Sequence, residues 1–289
     1  MPAPTRAVIR LNTERLVTLR LVGVVQPPAV NAVVEPSGAL LTRPGQGGVV
    51  PGVGLGDRAL GWVSDHLEPG ATLRHPEPAA NAALQVLSCV GNRAVVLDGP
   101  AAGAEGLVFG KHGGVLVSFA PAALRRMAPG ERVAVEARGV GLAIADEPDI
   151  AFHSCSPELA ERLLGGRDGE ERIVIPVVAE LPPEAAGAGI GMTPLQYNLD
   201  LQLAAPSIAR AAAALRFGDV VALHGQDHRF GRQPRRGWTS VGVIAHGQSV
   251  GGGHGLGLVT LLSGPAARFA LVRAASARLP RLLPKGSST

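Results

Sequence analysis

The stretch Gly130-Glu131-Arg132-Val133-Ala134-Val135-Glu136-Ala137 decides the fold class. Gly130-Glu131 reads as a turn. Beyond it, Val133, Val135 and Ala137 share one side of a period-two pattern, with Arg132 and Glu136 on the other, as in a half-buried strand. Comparable runs recur at Leu16–Val25, Gln85–Val90, Ala94–Leu97, Gly114–Phe119, Arg172–Ala179, Asp219–Leu223 and Thr239–Ala245. Gly56-Asp57 and Gly218-Asp219 repeat the Gly-acid opening beside a run. Strands of this length between Gly and Pro turns predict a mainly β (α+β) fold. Its lobes are β-barrels or sandwich-like, with a few short helices and a C-terminal helix.

Helical patterns are fewer. Ala120–Met127 and Ser156–Leu164 are short candidates, the second with Ser156 as N-cap and Pro157 at the first helical position. Gly264–Leu283 carries Phe269, Val272, Ala275 and Leu279 on one side and arginines on the other, which predicts a helix. Gly165–Glu171 is glycine-rich and charged, so a lobe boundary is drawn there: 1–166 for an N-terminal β-rich lobe and 167–289 for a C-terminal one. Gly286–Thr289 reads as a frayed tail.

A chain of 289 residues with 46% apolar content can bury a sizeable core. Only 3% of residues are aromatic against 39 glycines and 24 prolines, so that core is aliphatic and its turns are many. No apolar run is long enough for a membrane helix, and Met1–Thr13 has no signal-peptide pattern. Cys89 and Cys155 are too few for a disulfide framework and are expected to stay unpaired, which suits the cytoplasm. The formal charge is +4, concentrated at Arg229, Arg232, Arg235 and Arg236 and towards Lys285. Aromatic residues scarcely interleave with these, which counts against single-stranded nucleic acid.

Five histidines stand in glycine- or aspartate-bearing turns: Asp65-His66, Lys111-His112-Gly113, Asp227-His228, His246-Gly247 and Gly253-His254-Gly255. Glycine lets a turn aim its neighbour into a cleft, and a carboxylate orients an imidazole. His224–His254 is the densest segment, and imidazole plus carboxylate suits a divalent metal, with zinc among the candidates. Its spacing matches no helical zinc signature. Gly247-Gln248-Ser249-Val250-Gly251 fits the G-x-S-x-G pattern, but no Asp or Glu follows Ser249, so an α/β-hydrolase triad cannot be completed in chain order. Gly52–Gly56, Gly187–Gly191 and Gly251–Gly257 lack the ending of a phosphate-binding P-loop. The third can still present an anion-binding nest of N–H groups.

Together these segments resemble the family catalogued as domain of unknown function 4438. The resemblance rests on Gly61-Trp62-Val63-Ser64-Asp65-His66-Leu67-Glu68-Pro69-Gly70, Ser88-Cys89-Val90-Gly91-Asn92 and Gly110-Lys111-His112-Gly113-Gly114. It continues through Phe217-Gly218-Asp219, Asp227-His228, Gly237-Trp238, His246 and Gly253-His254-Gly255, in order over about residues 12–264. It implies an N-terminal and a C-terminal family domain on one chain, and no particular reaction.

The residues point to a metal-assisted enzyme acting on a small polar or anionic molecule, by hydrolysis, cyclisation or elimination at a C–N or C–O bond. Asp227, His228, His246 and His254 are the expected metal ligands. Lys111 and His112 are the expected acid/base groups, supported by Asp65 and His66. Trp62, Asn92, Arg229 and Trp238 are expected to bind substrate. The alternatives are a non-catalytic small-anion-binding protein and a nucleic-acid-binding barrel. The expected partner is a small molecule, with no membrane, and is favoured over nucleic acid; assembly as a homo-oligomer stays open. The sharpest expectation is convergence: at least three of His66, His112, His228, His246 and His254 should share a cleft within about 10 Å.

Overall fold

Alternation sets which face of each strand meets the core. In the computed structural model, which describes residues 9–34, 37–249 and 253–283, Val133 and Val135 are buried while Arg132 and Glu136 are exposed. Strands of the first half are β1 (Leu19–Val25), β2 (Ala29–Val34), β3 (Leu40–Gln46), β4 (Val49–Val50), β5 (Gly70–Arg74), β6 (Arg93–Val96), β7 (Glu105–Lys111), β8 (Val115–Phe119) and β9 (Arg132–Ala137). Those of the second are β10 (Ala151–Phe152), β11 (Ile173–Val177), β12 (Ala179–Leu181), β13 (Leu199–Asp200), β14 (Val220–Asp227), β15 (Gln233–His246), β16 (Gly257–Pro265) and β17 (Phe269–Arg273).

The first half forms a closed barrel. Its strands run β1-β9-β6-β7-β8-β5, and β1 pairs back onto β5, so six antiparallel strands close with β4 appended to β5. Closure leaves no edge within the ring to template aggregation. Leu73, Val96, Val108, Val117, Val133 and Val135 are buried in one cluster. Outside, Arg93 bridges Glu136 (2.8 Å) and Glu105, a cross-strand pairing on the solvated face.

The second half is a sheet ordered β10-β16-β15-β14-β12, with β13 also on β16. β12 joins β14 in parallel, and β11 and β17 form a separate parallel pair. β10 precedes the boundary drawn from sequence yet pairs with β16, Ala151 opposite Ser263. One hydrophobic cluster accordingly takes Phe109 and Leu116 from the barrel together with Val220, Val241 and Val259 from the sheet. Strand β7 meets β15 where a Cβ on Gly110 would come within 2.5 Å of the Ala245 methyl. Only glycine lets the barrel approach the sheet this closely.

Three local expectations are corrected. Gln85–Val90 is not a strand: Leu87 ends α1 (Pro78–Leu87), whose first N–H groups are capped by the Glu77 carboxylate. The alanine-rich residues before Gln85 favour helix and carry it through Leu87. Gly264–Leu283 is not one helix either. Pro265 ends β16, Ala266–Arg268 is a single 3-10 turn, Phe269–Arg273 pairs with β11, and only the C-terminal α5 (Leu279–Leu282) is α-helical; α2 (Pro121–Leu124) and α3 (Pro157–Leu163) precede α4 (Pro206–Ala213) in the chain. A parallel partner for 269–273, and Pro280 inside the expected span, outweigh the helical spacing. Third, Ala120–Met127 shrinks to α2, whereas α3 keeps its cap: Ser156 Oγ accepts from Leu159 N–H at 3.2 Å. α4 lies in a segment read as no element.

Cys89 and Cys155 are both buried and free. No helix among the described residues is long and apolar enough to cross a membrane. Residues 250–252, which complete the G-x-S-x-G stretch and begin the third glycine loop, lie outside the described residues, as do Lys285 and the terminal tail.

Candidate active site: a histidine cluster and a buried cationic pocket

Four of the five singled-out histidines meet. The His66 ring centroid lies 5.0 Å from that of His112, 5.4 Å from His246 and 5.2 Å from His254, and the His112 and His246 centroids are 4.1 Å apart. His66 sits in the loop before β5, His112 in the β7–β8 turn, His246 at the end of β15 and His254 in the turn to β16. Backbone pairing builds this rim. His66 N–H donates to Gln248 C=O (3.0 Å), while Ser249 and His254 exchange both backbone bonds. His66 adopts φ 48, one of two positive-φ non-glycine residues among those described. Such strain is characteristically stored at functional sites.

Asp200, at the end of β13, draws the rings together. Its Oδ2 lies 2.9 Å from His254 Nδ1 and its Oδ1 3.1 Å from His246 Nε2. Burial pushes this carboxyl up, but the contact with His246, with the His112 and His254 charges, outweighs it and holds the acid below its ordinary range. Asn198 Nδ2 donates to Asp200 Oδ1 (2.6 Å) and to His246 Nε2 (2.8 Å), and His246 Nδ1 contacts Gly247 C=O at 2.7 Å. The proton of His246 is thereby fixed on Nδ1. His246 is seated against Gly257, where an added Cβ would fall 2.0 Å from the ring. Glycine is required there.

His66 Nε2 and His254 Nδ1 are 3.2 Å apart, and Asp65 Oδ1 lies 3.1 Å from His66 Nδ1. Burial, and then the His246 charge, lower the pKa of His66, which favours the neutral ring. One donor atom each from His66, Asp200 and His254 lies within 4.8 Å of the others. Imidazole nitrogens and a carboxylate oxygen held face to face can share protons or hold a cation. Zinc bonds of 2.0–2.1 Å in a tetrahedron imply donor separations of about 3.3 Å, and the 2.9 and 3.2 Å contacts are of that size.

On the far side of the rings, His112 Nδ1 contacts Glu68 Oε1 at 2.6 Å. The other oxygen of Glu68 accepts from Thr72 Oγ1 (2.5 Å) and Gly47 N–H (2.9 Å). The carboxylate is immobilised and orients the imidazole, leaving Nε2 available.

Residues 33–161 match the N-terminal domain, and 164–283 the C-terminal domain, of the family described as domain of unknown function, DUF4438. The chain belongs to the DUF4438 family. The crystal structure of TM1086 is similar, with a TM-score of 0.88 and 32% identity over 96% of this chain and 99% of that one. No curated protein matches.

This DUF4438 chain distributes its other expected site residues elsewhere. Asp227 and His228 are not beside His246 and His254. The Asp227 carboxylate is taken by Arg229 (3.2 Å) and Arg235 (2.9 Å) at the far end of β15, where Asp227 pairs with Gln233. His228 Nδ1 is bound to Thr260 Oγ1 at 2.8 Å. Asp227 therefore balances arginines rather than a metal. Arg229 and Arg235 also stack on Trp238 (3.7 and 4.4 Å to its centroid), so Arg229 and Trp238 brace each other instead of lining the histidine cluster. Asn92 is buried and bridges Cys89 N–H and the Arg138 backbone. Trp62 is exposed and donates to Arg58 C=O. Glu68 and Asp200 carry more of the cluster's geometry than any of these. Asp200 had one faint signal, the polar alternation Asn198, Asp200, Gln202.

Lys111 belongs to a second polar group. It is wholly buried, and its Nζ donates to Ser154 Oγ (2.9 Å) and Leu195 C=O (2.5 Å). Burial pushes Lys111 down to about 8. Burial, and then the Arg232 charge, push His153 to about 4 and His228 to about 3. Arg232 itself is buried, its own pKa lowered by burial to about 10, and it donates to Tyr197 C=O.

Proposed function

We propose that this protein is a divalent-metal-dependent enzyme acting on a small polar or anionic molecule, by hydrolysis, cyclisation or elimination at a C–N or C–O bond. The observation that carries this is the convergence of His66, Asp200 and His254 donor atoms within 4.8 Å. These three replace the ligand set expected from sequence, with His246 as an orienting neighbour because its Nε2 already accepts from Asn198. A bound metal would supply Lewis acidity, lowering the pKa of water or polarising a carbonyl. The His112–Glu68 pair would move the proton: Nδ1–H stays on Glu68 while Nε2 accepts or returns a proton at the reacting atom. His254 is the most exposed member, with 43% of its side chain accessible, and gives the cluster its opening to solvent. The two free cysteines fit a cytoplasmic enzyme.

Metal analysis of protein purified without affinity tag or chelator tests the proposal. About one divalent ion per chain is expected, lost in Asp200→Asn and His254→Ala while circular dichroism stays native. Absence of metal, together with added zinc or manganese binding no tighter to the wild type than to these variants, would overturn it.

A further inference from the structure

Beside the histidine cluster, the fold buries more side-chain nitrogens than it satisfies. Arg232 is fully buried, yet among the described residues only its Nη2 has a partner, the Tyr197 carbonyl; Nε and Nη1 have none there. His228 Nε2 and His153 Nε2 are also buried without a partner among the described residues. Asp227, the nearby acid that acts on both histidines, is already committed to Arg229 and Arg235. Lys111 is a second buried cationic group, held by neutral oxygens alone. A guanidinium taken out of water needs its donors filled, and an oxyanion is the partner that matches its planar fork.

A way in exists. A cavity of about 230 Å3 is lined by His153, by Leu195, whose carbonyl holds Lys111, and by Gly231 beside Arg232, with Arg229 and the exposed Phe230 at its edge. Gly191, also in its wall, donates its N–H to the Arg232 carbonyl at 2.6 Å. We infer that this cavity is a binding site for a small oxyanion, a carboxylate or phosphate group, held by Arg232 and by the free Nε2 atoms of His153 and His228. The pocket adjoins the histidine cluster through one short segment: Tyr197 C=O takes Arg232, and the next residue, Asn198, binds Asp200 and His246. The inference does not depend on a metal at that cluster. It follows from unfilled donors and a cavity at a different set of side chains.

Calorimetric titration of the full chain with inorganic phosphate, and separately with acetate, tests this in EDTA at ionic strength matched with chloride. Saturable one-to-one binding of at least one anion is expected, weakened at least tenfold in His153→Leu and in Arg232→Lys. His153→Leu is the deciding variant where Arg232→Lys fails to fold, since His153 lies in the cavity wall. The arm that binds distinguishes a phosphate from a carboxylate ligand. His254→Ala, which breaks the candidate metal group, should bind the anion as the wild type does. The inference is overturned if neither anion binds in preference to chloride, if His153→Leu binds unchanged, or if His254→Ala abolishes binding. Metal loss in Asp200→Asn bears on the enzyme proposal alone.

Discussion

Lys111 and His112 are neighbours in sequence but belong to different polar groups: Lys111 Nζ holds Ser154 and Leu195, whereas His112 Nδ1 meets Glu68 at 2.6 Å. The two side chains leave the end of β7 in opposite senses, as successive residues of a strand do. One strand end thus feeds both the histidine cluster and the cationic cavity.

His246 has no room to tolerate a side chain at residue 257. Gly257→Ala should push the imidazole off Asn198 and Asp200, costing about 1–3 kcal/mol through overpacking. The urea midpoint should fall accordingly. In a His246→Ala background the same change should cost much less, because the clash is gone. Equal costs in both backgrounds would show that the ring is not held there.

Glu68 accepts three hydrogen bonds through its two oxygens, from His112, Thr72 and Gly47. Glu68→Gln turns one acceptor into a donor facing donors, for a loss of about 1–3 kcal/mol. The His112 Nδ1 proton resonance should broaden or shift with it. A variant as stable as wild type, with that resonance unmoved, would dissociate Glu68 from His112.

Acid should destabilise the fold early. His153 and His228 have native pKa values of about 4 and about 3, below the ordinary 6.5. From about pH 6.5 down to about 4 the unfolded chain binds more protons than the native one. Stability therefore falls with falling pH, by roughly 1.4 kcal/mol per unit for each histidine. Urea midpoints between pH 7 and 5 measure the slope, and His153→Leu should reduce it by one proton's share. An unchanged slope in that variant would contradict the burial of His153.

The cysteines should resist labelling. Burial raises Cys89 to about 11 and Cys155 well above the ordinary thiol value, so little thiolate exists to react. Ellman's reagent should titrate two thiols only after denaturation. Rapid native reaction at either would contradict the packing around Val90 and Ser154.

Part of the site was legible because glycine and aspartate mark turns. His66, His112, His246 and His254 were all named from such turns, and all four meet. His228 was named on the same grounds and lies instead against Thr260 and Ser263. Local turn chemistry says that a side chain can point into a cleft, but not into which one.

By itself the sequence determined several of the strands, though β7 and β16 were not among the runs it marked. Period-two alternation is a local property, set by which face of a pleated backbone meets water, and it read through Arg132–Ala137 and most other runs. It also determined the α3 cap, since Ser156 and Pro157 act within one turn. Only the tertiary structure decided that β1 closes on β5, that 269–273 becomes a strand on β11, and that Asp200 rather than Asp227 faces the histidines. Each of these depends on a partner distant in the chain. Asp227 and Asp200 are the same residue type, and what separates them is that arginines reached one and imidazoles the other.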